Sequence, residues 1–242
     1  MPTMAILNSG AQRLGLRLTP QQLEQFQIYY RELVDWNRRI NLTRITSYED
    51  VQVKHFLDSL TVTLAMKPPA EGAGPRIIDV GTGAGLPGLP LKILWPGLRL
   101  TLLEATTKKA RFLHHVTARL ALDDIEVVVG RAEEMAHHPE YRERFDYVLS
   151  RAVAELPALV ELTLPFCSVG GSFIAQKKGE IGAELASAQK GITILGGRLR
   201  EVKMIDLPEF DDRRSLVIVD KVAPTPPQYP RRPGTPEKRP IK

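Results

Sequence analysis

The chain has 242 residues, of which 43% are hydrophobic and 25% are charged, as in ordinary globular proteins that bury a sizeable core. The formal net charge is +5. Residues 222–242 hold five basic residues against one acidic residue, so the rest of the chain is nearly neutral. This distribution argues against a basic nucleic-acid-binding body and places the excess charge at the C-terminal end.

The cysteine content and the hydropathy of the sequence indicate the cellular compartment of the protein. Cys167 is the only cysteine, which excludes an intrachain disulfide and a cysteine-based zinc cluster, and we predict no metal site. The first eight residues are too short and too weakly apolar for a signal peptide, and no apolar run approaches the ~20 residues that span a bilayer. We therefore expect a cytoplasmic protein.

Residues 1–70 are predicted to form an N-terminal helical extension. Thr19 and Gln22, with a proline directly after Thr19, give the pattern of an N-cap with a capping-box partner. Apolar residues then repeat at helical spacing. A second helix is predicted to begin after Ser47 and to end before a Gly- and Pro-rich linker that reaches residue 75.

The pattern changes at residue 76, where short apolar runs begin to alternate with helical segments. This alternation predicts a parallel sheet with helices on both faces. The predicted strands are residues 77–80, 98–103, 125–129, 147–149, 172–175, 198–207 and 215–222. The last two are too close together for a crossover helix and are expected to pair as an antiparallel hairpin. Residues 76–222 are thus predicted to form an α/β domain with a seven-stranded, mostly parallel sheet.

Residues 223–242 form a basic tail with seven prolines in twenty positions. This composition does not support a core of its own, so we expect the tail to be extended and mobile in isolation. Its positive charge makes it a candidate contact to a phosphate backbone.

A glycine-rich loop follows the first predicted strand. Gly81, Gly83 and Gly85 would let a ligand approach the backbone closely. Asp79 precedes them and would either accept hydrogen bonds from a ligand amino group or brace the loop. Glu104 ends the second strand, where a carboxylate can accept from both ribose hydroxyls of an adenosyl ligand. Loop and acid together predict a site for an adenosine-containing cofactor rather than a structural turn.

Two classes of enzyme fit this loop. Gly83, Gly85 and Gly88 match the dinucleotide fingerprint of nicotinamide-dependent oxidoreductases. In that register Gly81 lies outside the motif, and the first strand comes unusually late in the chain. The terminal hairpin also suits a methyltransferase sheet better. We therefore favour a methyltransferase, with the oxidoreductase as the alternative.

Further polar residues follow the next strands. Ala132 and Glu133 come after the third strand and are expected to hold the adenine amino group, although Glu133 alone fits a helix N-terminal acid equally well. Arg151 comes after the fourth, where the acceptor of a doubly wound sheet is expected, or else forms a surface salt bridge. His55 and Asp58 share one helix face, and we favour a polar pair that ties the helical region to the sheet over a lid or an RNA contact.

The sequence resembles the glucose-inhibited division protein B family of bacteria, the 16S ribosomal RNA guanine-N7 methyltransferases. The resemblance runs from about residue 20 to the C-terminus, in an ordered series of blocks. These are Asn41-Leu42-Thr43, His55-x-x-Asp58-Ser59-Leu60, Asp79 through Leu91, Glu104 with Lys108-Lys109, Arg131-Ala132-Glu133, Ser150-Arg151-Ala152, Lys178-Gly179 and Tyr229-Pro230-Arg231.

The resemblance implies a class I (Rossmann-like) methyltransferase fold, S-adenosylmethionine as cofactor and a guanosine of 16S rRNA as acceptor. Together with the loop itself, it gives a set of expected cofactor contacts. They are Asp79, Gly81, Thr82, Gly83, Ala84, Gly85, Leu86, Glu104, Ala105, Thr106, Ala132, Glu133 and Arg151.

The residue inventory agrees with guanine N7 as the methyl acceptor. A pyrimidine-C5 enzyme needs a thiolate nucleophile, whereas Cys167 lies away from the strand exits and is expected to be a buried apolar residue. Guanine N7 carries an unprotonated lone pair, so no general base is expected. Catalysis would rest on positioning, with Arg151 as an anchor for O6, a phosphate or the cofactor carboxylate.

Binding to 16S rRNA requires cations that neutralise phosphates. The candidates are His55, Lys108, Lys109, Lys177, Lys178, Arg213, Arg214, Arg231 and Arg232. The nearly neutral body favours a ribonucleoprotein, such as the small subunit or an assembly intermediate, over naked RNA as the substrate.

We expect the protein to be a monomer. Two alternatives remain open: a methyltransferase acting on a protein or small molecule, and an RNA-binding protein with a relic cofactor loop.

Overall fold

The computed structural model describes residues 4–69 and 74–241, so most of the predicted linker and the last residue of the tail lie outside the described residues. Helix α1 spans Ala5–Arg13 and α2 spans Pro20–Ile40. The predicted capping box is confirmed. The Thr19 side chain accepts from the Gln22 amide (3.2 Å), and Gln22 Oε1 accepts from the Thr19 amide (2.9 Å).

The second predicted helix begins at its expected cap but is irregular. The Ser47 side chain accepts from the Asp50 amide at the start of α3 (Tyr48–Val51). A π-helical segment follows at Gln52–Leu57, then α4 (Asp58–Leu60) and a 3₁₀ turn (Thr61–Ala65). Apolar spacing does not distinguish a π-turn from an α-turn, so the irregularity was not predictable.

Seven strands form one sheet, as predicted. They are β1 (Arg76–Val80), β2 (Arg99–Glu104), β3 (Ile125–Val129), β4 (Phe145–Arg151), β5 (Cys167–Lys178), β6 (Gly197–Ile205) and β7 (Arg214–Lys221). The order is β3-β2-β1-β4-β5-β7-β6. The first five strands are parallel, and β7 is antiparallel to both of its neighbours, which confirms the terminal hairpin.

Helices cover both faces of this sheet. The connecting helices are α5 (Gly88–Leu94), α6 (Thr107–Arg119), α7 (Ala132–Met135), α8 (Leu156–Thr163) and α9 (Gly182–Ile194). Side chains alternate between the faces: Ile77 belongs to the core shared with α1, α2, α5 and α6, and Ile78 to the core shared with α8 and α9. The N-terminal extension is therefore the outer layer of one face.

The tail differs from the expectation of a mobile segment. Residues 223–241 pack against the second face and include a short helix, α10 (Thr235–Lys238). Ile241 joins the core there with 8% of its surface exposed. Arg231 pairs with the fully buried carboxylate of Glu161 (Nη2 to Oε2, 2.6 Å). Proline content predicts that a segment lacks a core of its own, but it carries no information about groups elsewhere that bind its backbone.

Candidate functional site

The glycine loop turns sharply at the carboxyl end of β1. Gly83 has a φ of +60°, and a Cβ built there would have no neighbour closer than 4.0 Å, so the space beside it is open. Gly85 differs, because a Cβ there would lie 2.4 Å from Leu89 Cδ1 and 2.9 Å from the Tyr29 hydroxyl. Glycine is therefore needed at 85 for packing, and at 83 for its backbone conformation beside open space.

Asp79 braces this loop. One carboxylate oxygen, Oδ2, accepts from the Thr82 hydroxyl (2.6 Å) and from the Gly88 amide (2.9 Å). The other, Oδ1, is buried and has no hydrogen-bond partner in the described part of the chain. Burial raises the pKa of Asp79 to about 6. The structure thus favours the bracing role while leaving one acceptor atom unused.

Glu104 joins the loop to the exit of β2. Its Oε2 accepts from the Gly83 amide (3.0 Å), and its Oε1 accepts from the Thr106 amide (2.8 Å). Carboxylate oxygens can each accept more than one hydrogen bond, so both keep capacity for further donors. Glu104 is 5% exposed, whereas Ala105 and Thr106 lie at the surface. The acid predicted from its spacing therefore lies directly beside the glycine loop.

A cavity of about 130 Å³ opens at this edge of the sheet. Its lining comes from the ends of β1 to β4, from α8 and from α10, and comprises Val80, Gly81, Leu103, Ala105, Gly130, Arg131, Ala132, Glu133, Val153, Leu162 and Glu237. Several of the predicted cofactor contacts thus meet in one place. Glu237 was missed because the tail was expected to be mobile.

Glu133 is a buried acid in the first turn of α7. It is 6% exposed, and its Oε1 accepts from the Gly234 amide (2.8 Å) and lies 3.6 Å from Arg131 Nη2. Both interpretations of this residue are therefore compatible with its place, since it lies in a helix N-terminal turn and also lines the cavity.

Arg151 lies at the end of β4 within a network of charges. Its Nη1 donates to Asp58 Oδ2 (2.9 Å) and to the Lys54 carbonyl (3.1 Å). Asp58 Oδ1 lies 2.6 Å from Arg214 Nη1, and Arg214 Nε is 2.6 Å from Asp212 Oδ1. Asp58 therefore ties the extension to the sheet, as favoured from the sequence, and at the same time holds Arg151 in place.

A second cavity, of about 350 Å³, lies beside Arg151. It is lined by Ile45, Lys54, His55, Asp58, Arg151, Ala152, Gln176, Lys177, Lys178 and Glu184. Gln176 and Glu184 were not predicted. Gln176 lies near the carboxyl end of β5, and that position was the one signal that pointed to it.

The candidate RNA contacts differ in exposure and in whether they are already paired with an acid. Lys108 and Arg232 are exposed, and Lys178 and Arg213 are exposed but paired with Asp212 and Glu180. Lys109 is half-buried, Lys177 pairs with Glu184, and Arg231 pairs with Glu161. Arg214 is 2% exposed, so its position disagrees with a role as a surface cation. The charge of Arg214 indicates a surface cation. Its buried partner, Asp58, lies far away in the sequence, so no local pattern predicts the burial.

His55 is a buried histidine at this second cavity. Its Nε2 lies 2.8 Å from the Thr43 hydroxyl, and its Nδ1 is 3.4 Å from Arg151 Nη2. Burial, with the nearby Arg151 charge, lowers the pKa of His55 to about 4. The imidazole is therefore neutral at pH 7.

We predict that His55 makes stability depend on pH. The folded state binds the proton more weakly than the unfolded chain, so the unfolding free energy should rise between pH 4 and pH 6.5. At about 1.4 kcal/mol per pKa unit, the fall in pKa from 6.5 to about 4 corresponds to roughly 3–4 kcal/mol of unfolding free energy. Urea unfolding at pH 4.5 and pH 7 should show a smaller pH dependence for His55→Gln than for wild type. The same substitution at His114, which is exposed on α6, should leave the wild-type dependence, and equal effects of the two would contradict the prediction.

The described residues offer neither a metal cluster nor a membrane span. In the parts of the chain that the structure describes, no three His, Cys, Asp or Glu side chains converge as a metal site requires. None of the helices described is both long and apolar enough to cross a bilayer. Cys167 is fully buried, as predicted, and burial raises the pKa of its thiol to about 12.

Comparison with known proteins gives consistent matches. The sequence pattern of the GidB family, described as rRNA small subunit methyltransferase G, matches residues 22–216. A ribosomal RNA small subunit methyltransferase G from Dehalococcoides mccartyi (strain CBDB1) is 51% identical over 232 residues, covering 96% of this chain and 97% of that protein. Another from Alkaliphilus metalliredigens (strain QYMF) is 47% identical over 242 residues, covering 100% of both.

A solved structure supports the fold. Geranyl diphosphate methyltransferase in complex with S-adenosylmethionine superposes with a TM-score of 0.52 at 13% identity, over 68% of this chain and 84% of that chain. With the strand order and the antiparallel seventh strand, this likeness confirms a class I methyltransferase fold with an added helical layer.

Proposed function

This chain belongs to the GidB family, rRNA small subunit methyltransferase G, and from that premise we propose that it transfers a methyl group from S-adenosylmethionine to N7 of one guanosine in 16S rRNA. One observation carries the site assignment. Val153 lines the cavity at the glycine loop, while Arg151 and Ala152 line the second cavity. The exit of β4 thus separates a pocket for the donor from a pocket for the acceptor.

The glycine loop and the exits of β2 and β3 are proposed to hold the cofactor. S-adenosylmethionine supplies an electrophilic methyl group on its sulfonium sulfur. The open space at Gly83 fits close approach of a ligand to the backbone. Glu104 is placed to accept from the ribose hydroxyls, since both of its oxygens bind amides of the adjoining loops and retain lone pairs. Ala132 and Glu133 would contact the adenine.

The second cavity is proposed to receive the target guanine. Its wall offers donors from Arg151, Lys54 and Lys178, together with the neutral imidazole of His55. The carbonyl oxygen O6 of guanine accepts hydrogen bonds beside N7, so a cation that binds O6 would fix the edge of the base. Because the base must leave any stacked or paired arrangement to enter, the RNA has to present an exposed or flipped nucleotide.

The residues around this cavity fit a reaction without proton transfer. The N7 lone pair forms a bond to the methyl carbon as the carbon–sulfur bond breaks, and the positive charge moves from the sulfur to the base. Arg151 would not stabilise that cationic product. Its guanidinium is held by Asp58 and the Lys54 carbonyl, which suits a rigid anchor that orients the base.

Methyl mapping tests this proposal. Wild-type protein should transfer one labelled methyl group from S-adenosylmethionine to 16S rRNA that lacks the modification, and digestion should yield 7-methylguanosine at one position. Label in protein or small molecules but not in RNA would favour the alternative methyltransferase. Calorimetry that detects a nicotinamide dinucleotide but no S-adenosylmethionine would favour an oxidoreductase, and cofactor-independent RNA binding without transfer would favour a relic loop.

RNA contact is proposed for the exposed cations near the cavities, of which Lys108 is the clearest. It lies exposed in the first turn of α6, beside the loop that follows Glu104. We expect Lys108→Ala to weaken rRNA binding and to lower the slope of log affinity against log salt by about 1. Lys190→Ala, which removes an exposed lysine of α9, should leave the slope unchanged. Filter binding across a range of salt concentrations measures both, and an unchanged slope for Lys108→Ala would remove it from the interface.

We further propose that the substrate is a ribonucleoprotein and that the enzyme acts as a cytoplasmic monomer. Apart from its C-terminal segment the chain is nearly neutral, which predicts weak attraction to naked RNA. Methylation should therefore be faster on small-subunit particles than on protein-free 16S rRNA. Equal rates would contradict this preference, and light scattering would test the monomer.

A further inference from the structure

The C-terminal segment at residues 223–241, which we name the strap, crosses the sheet edge that carries the cofactor pocket. Arg142 holds its first half, donating through Nη1 to the Tyr229 carbonyl (2.9 Å) and through Nη2 to the Thr225 carbonyl (2.9 Å). Hydrogen bonds from a buried or half-buried guanidinium to carbonyls are charge-assisted and strong. The strap is therefore fixed before it reaches the pocket.

The second half of the strap has anchors of its own. Arg231 forms a double contact with the Glu161 carboxylate, Nε to Oε1 at 2.9 Å and Nη2 to Oε2 at 2.6 Å. Arg231 Nη2 also donates to the Arg239 carbonyl (2.7 Å), and Ile241 packs into the core. The residues between these anchors, including α10, are thus held at both ends.

The anchored part meets the cofactor pocket at two points. The Gly234 amide donates to Glu133 Oε1 (2.8 Å), which fixes the carboxylate of a residue that lines the pocket. Glu237 of α10 lines the same pocket, together with Gly81 and Ala132. The strap therefore touches the residues that are expected to surround the adenosyl group.

We propose that the strap is a wall of the cofactor site, in which Glu237 accepts hydrogen bonds from the adenosyl group and Gly234 orients Glu133. This inference rests on the proposed function. An adenosyl group carries an amino group and two ribose hydroxyls as donors, and carboxylates are pure acceptors. Gly234 engages one oxygen of Glu133, and Glu237 places a second carboxylate at the same pocket, so the two residues can serve different donors of the adenosyl group.

The proposal gives the strap a different role from the RNA contact suggested by its charge. Among the basic residues of the strap, Arg231 forms an ion pair with Glu161, so its charge is already neutralised within the protein. A cofactor wall changes the affinity for S-adenosylmethionine and leaves RNA affinity and its salt dependence alone. An RNA contact does the reverse, so the two roles separate in binding measurements.

Isothermal calorimetry with S-adenosylmethionine and S-adenosylhomocysteine tests the wall. Glu237→Ala should raise both dissociation constants about tenfold, whereas Lys238→Ala, a neighbouring exposed residue of α10 outside the pocket lining, should leave them unchanged. Filter binding of 16S rRNA without cofactor should give equal affinities and salt slopes for the two variants and the wild type. Equal cofactor affinities of Glu237→Ala and Lys238→Ala would overturn the role of Glu237.

For Glu237→Ala, lost RNA affinity with unchanged cofactor affinity would overturn the proposal in favour of an RNA contact. Wild-type protein that bound no S-adenosylmethionine would contradict the proposed function itself. If wild type binds S-adenosylmethionine and both Glu237→Ala and Lys238→Ala bind it with the wild-type affinity, the role of the strap is contradicted and the proposed function is not.

Discussion

Replacing Asp58 with Asn is expected to lower the unfolding free energy by about 3–5 kcal/mol, the usual cost of removing one partner of a buried ion pair. Asp58 is 4% exposed and its two oxygens face two different guanidinium groups. One of them, Arg214, is 2% exposed, so it would be left buried with only Asp212 as a charged partner. Urea unfolding with linear extrapolation measures the change.

A matched control for Asp58 is available on the surface. Asp35 lies 3.0 Å from Arg39 on one exposed face of α2, and Asp35→Asn should cost less than about 1 kcal/mol. Equal losses for the two variants would mean that the Asp58 network is effectively solvated. Asp58→Asn should also lower kcat more than it changes the dissociation constant of the cofactor, because Arg151 would lose its holder at the acceptor cavity while the glycine loop stayed intact.

Replacing Gly83 with Asp is expected to abolish methyl transfer and to weaken S-adenosylmethionine binding by at least roughly 100-fold, which corresponds to about 2.8 kcal/mol. The new side chain would occupy the open space beside the loop. It would also place a second carboxylate near Glu104, whose Oε2 accepts from the Gly83 amide. Calorimetry gives the affinity, and counting labelled methyl groups in rRNA gives the transfer.

Backbone strain at Gly83 needs a separate control. Gly15 also has a positive φ, +75°, and a Cβ added there would meet no atom within 4 Å, but it follows α1 and lies away from the loop. Gly15→Asp should show the stability loss that comes from a left-handed backbone alone while binding the cofactor normally. Normal cofactor binding by Gly83→Asp would contradict the placement of the ligand at this loop.

Local signals predicted much of this fold. The capping box at Thr19, the cap at Ser47 and the alternation of strands with helices depend on neighbouring residues, and all of them are found in the structure. The glycine loop and Glu104 were predictable for a different reason, because parallel strands bring their carboxyl ends to one edge of the sheet, and β1 and β2 pair in this way.

Long-range partners were not predictable from the same information. The charge of Arg214 predicts a phosphate contact, whereas its burial depends on Asp58, far away in the sequence. The strap was expected to be mobile because its own residues are prolines and cations, whereas its order depends on Arg142 and Glu161. Arg214 pairs with Asp58, and Arg231 of the strap pairs with Glu161. No local sequence pattern identifies either partner.

Two glutamines of α2 join the N-terminal extension to helices of the sheet domain. Gln22 Nε2 donates to the carbonyls of Ile93 and Leu94 (2.9 Å each), which are the last ones of α5, and Gln25 Nε2 donates to the Leu120 carbonyl after α6 (2.9 Å). Helix ends need such partners outside the helix. Side chains of the extension therefore bind carbonyls at the ends of two helices of the sheet domain. The change in sequence pattern near residue 75 consequently does not divide the chain into two independently stable parts. Both parts should unfold together, as one cooperative unit.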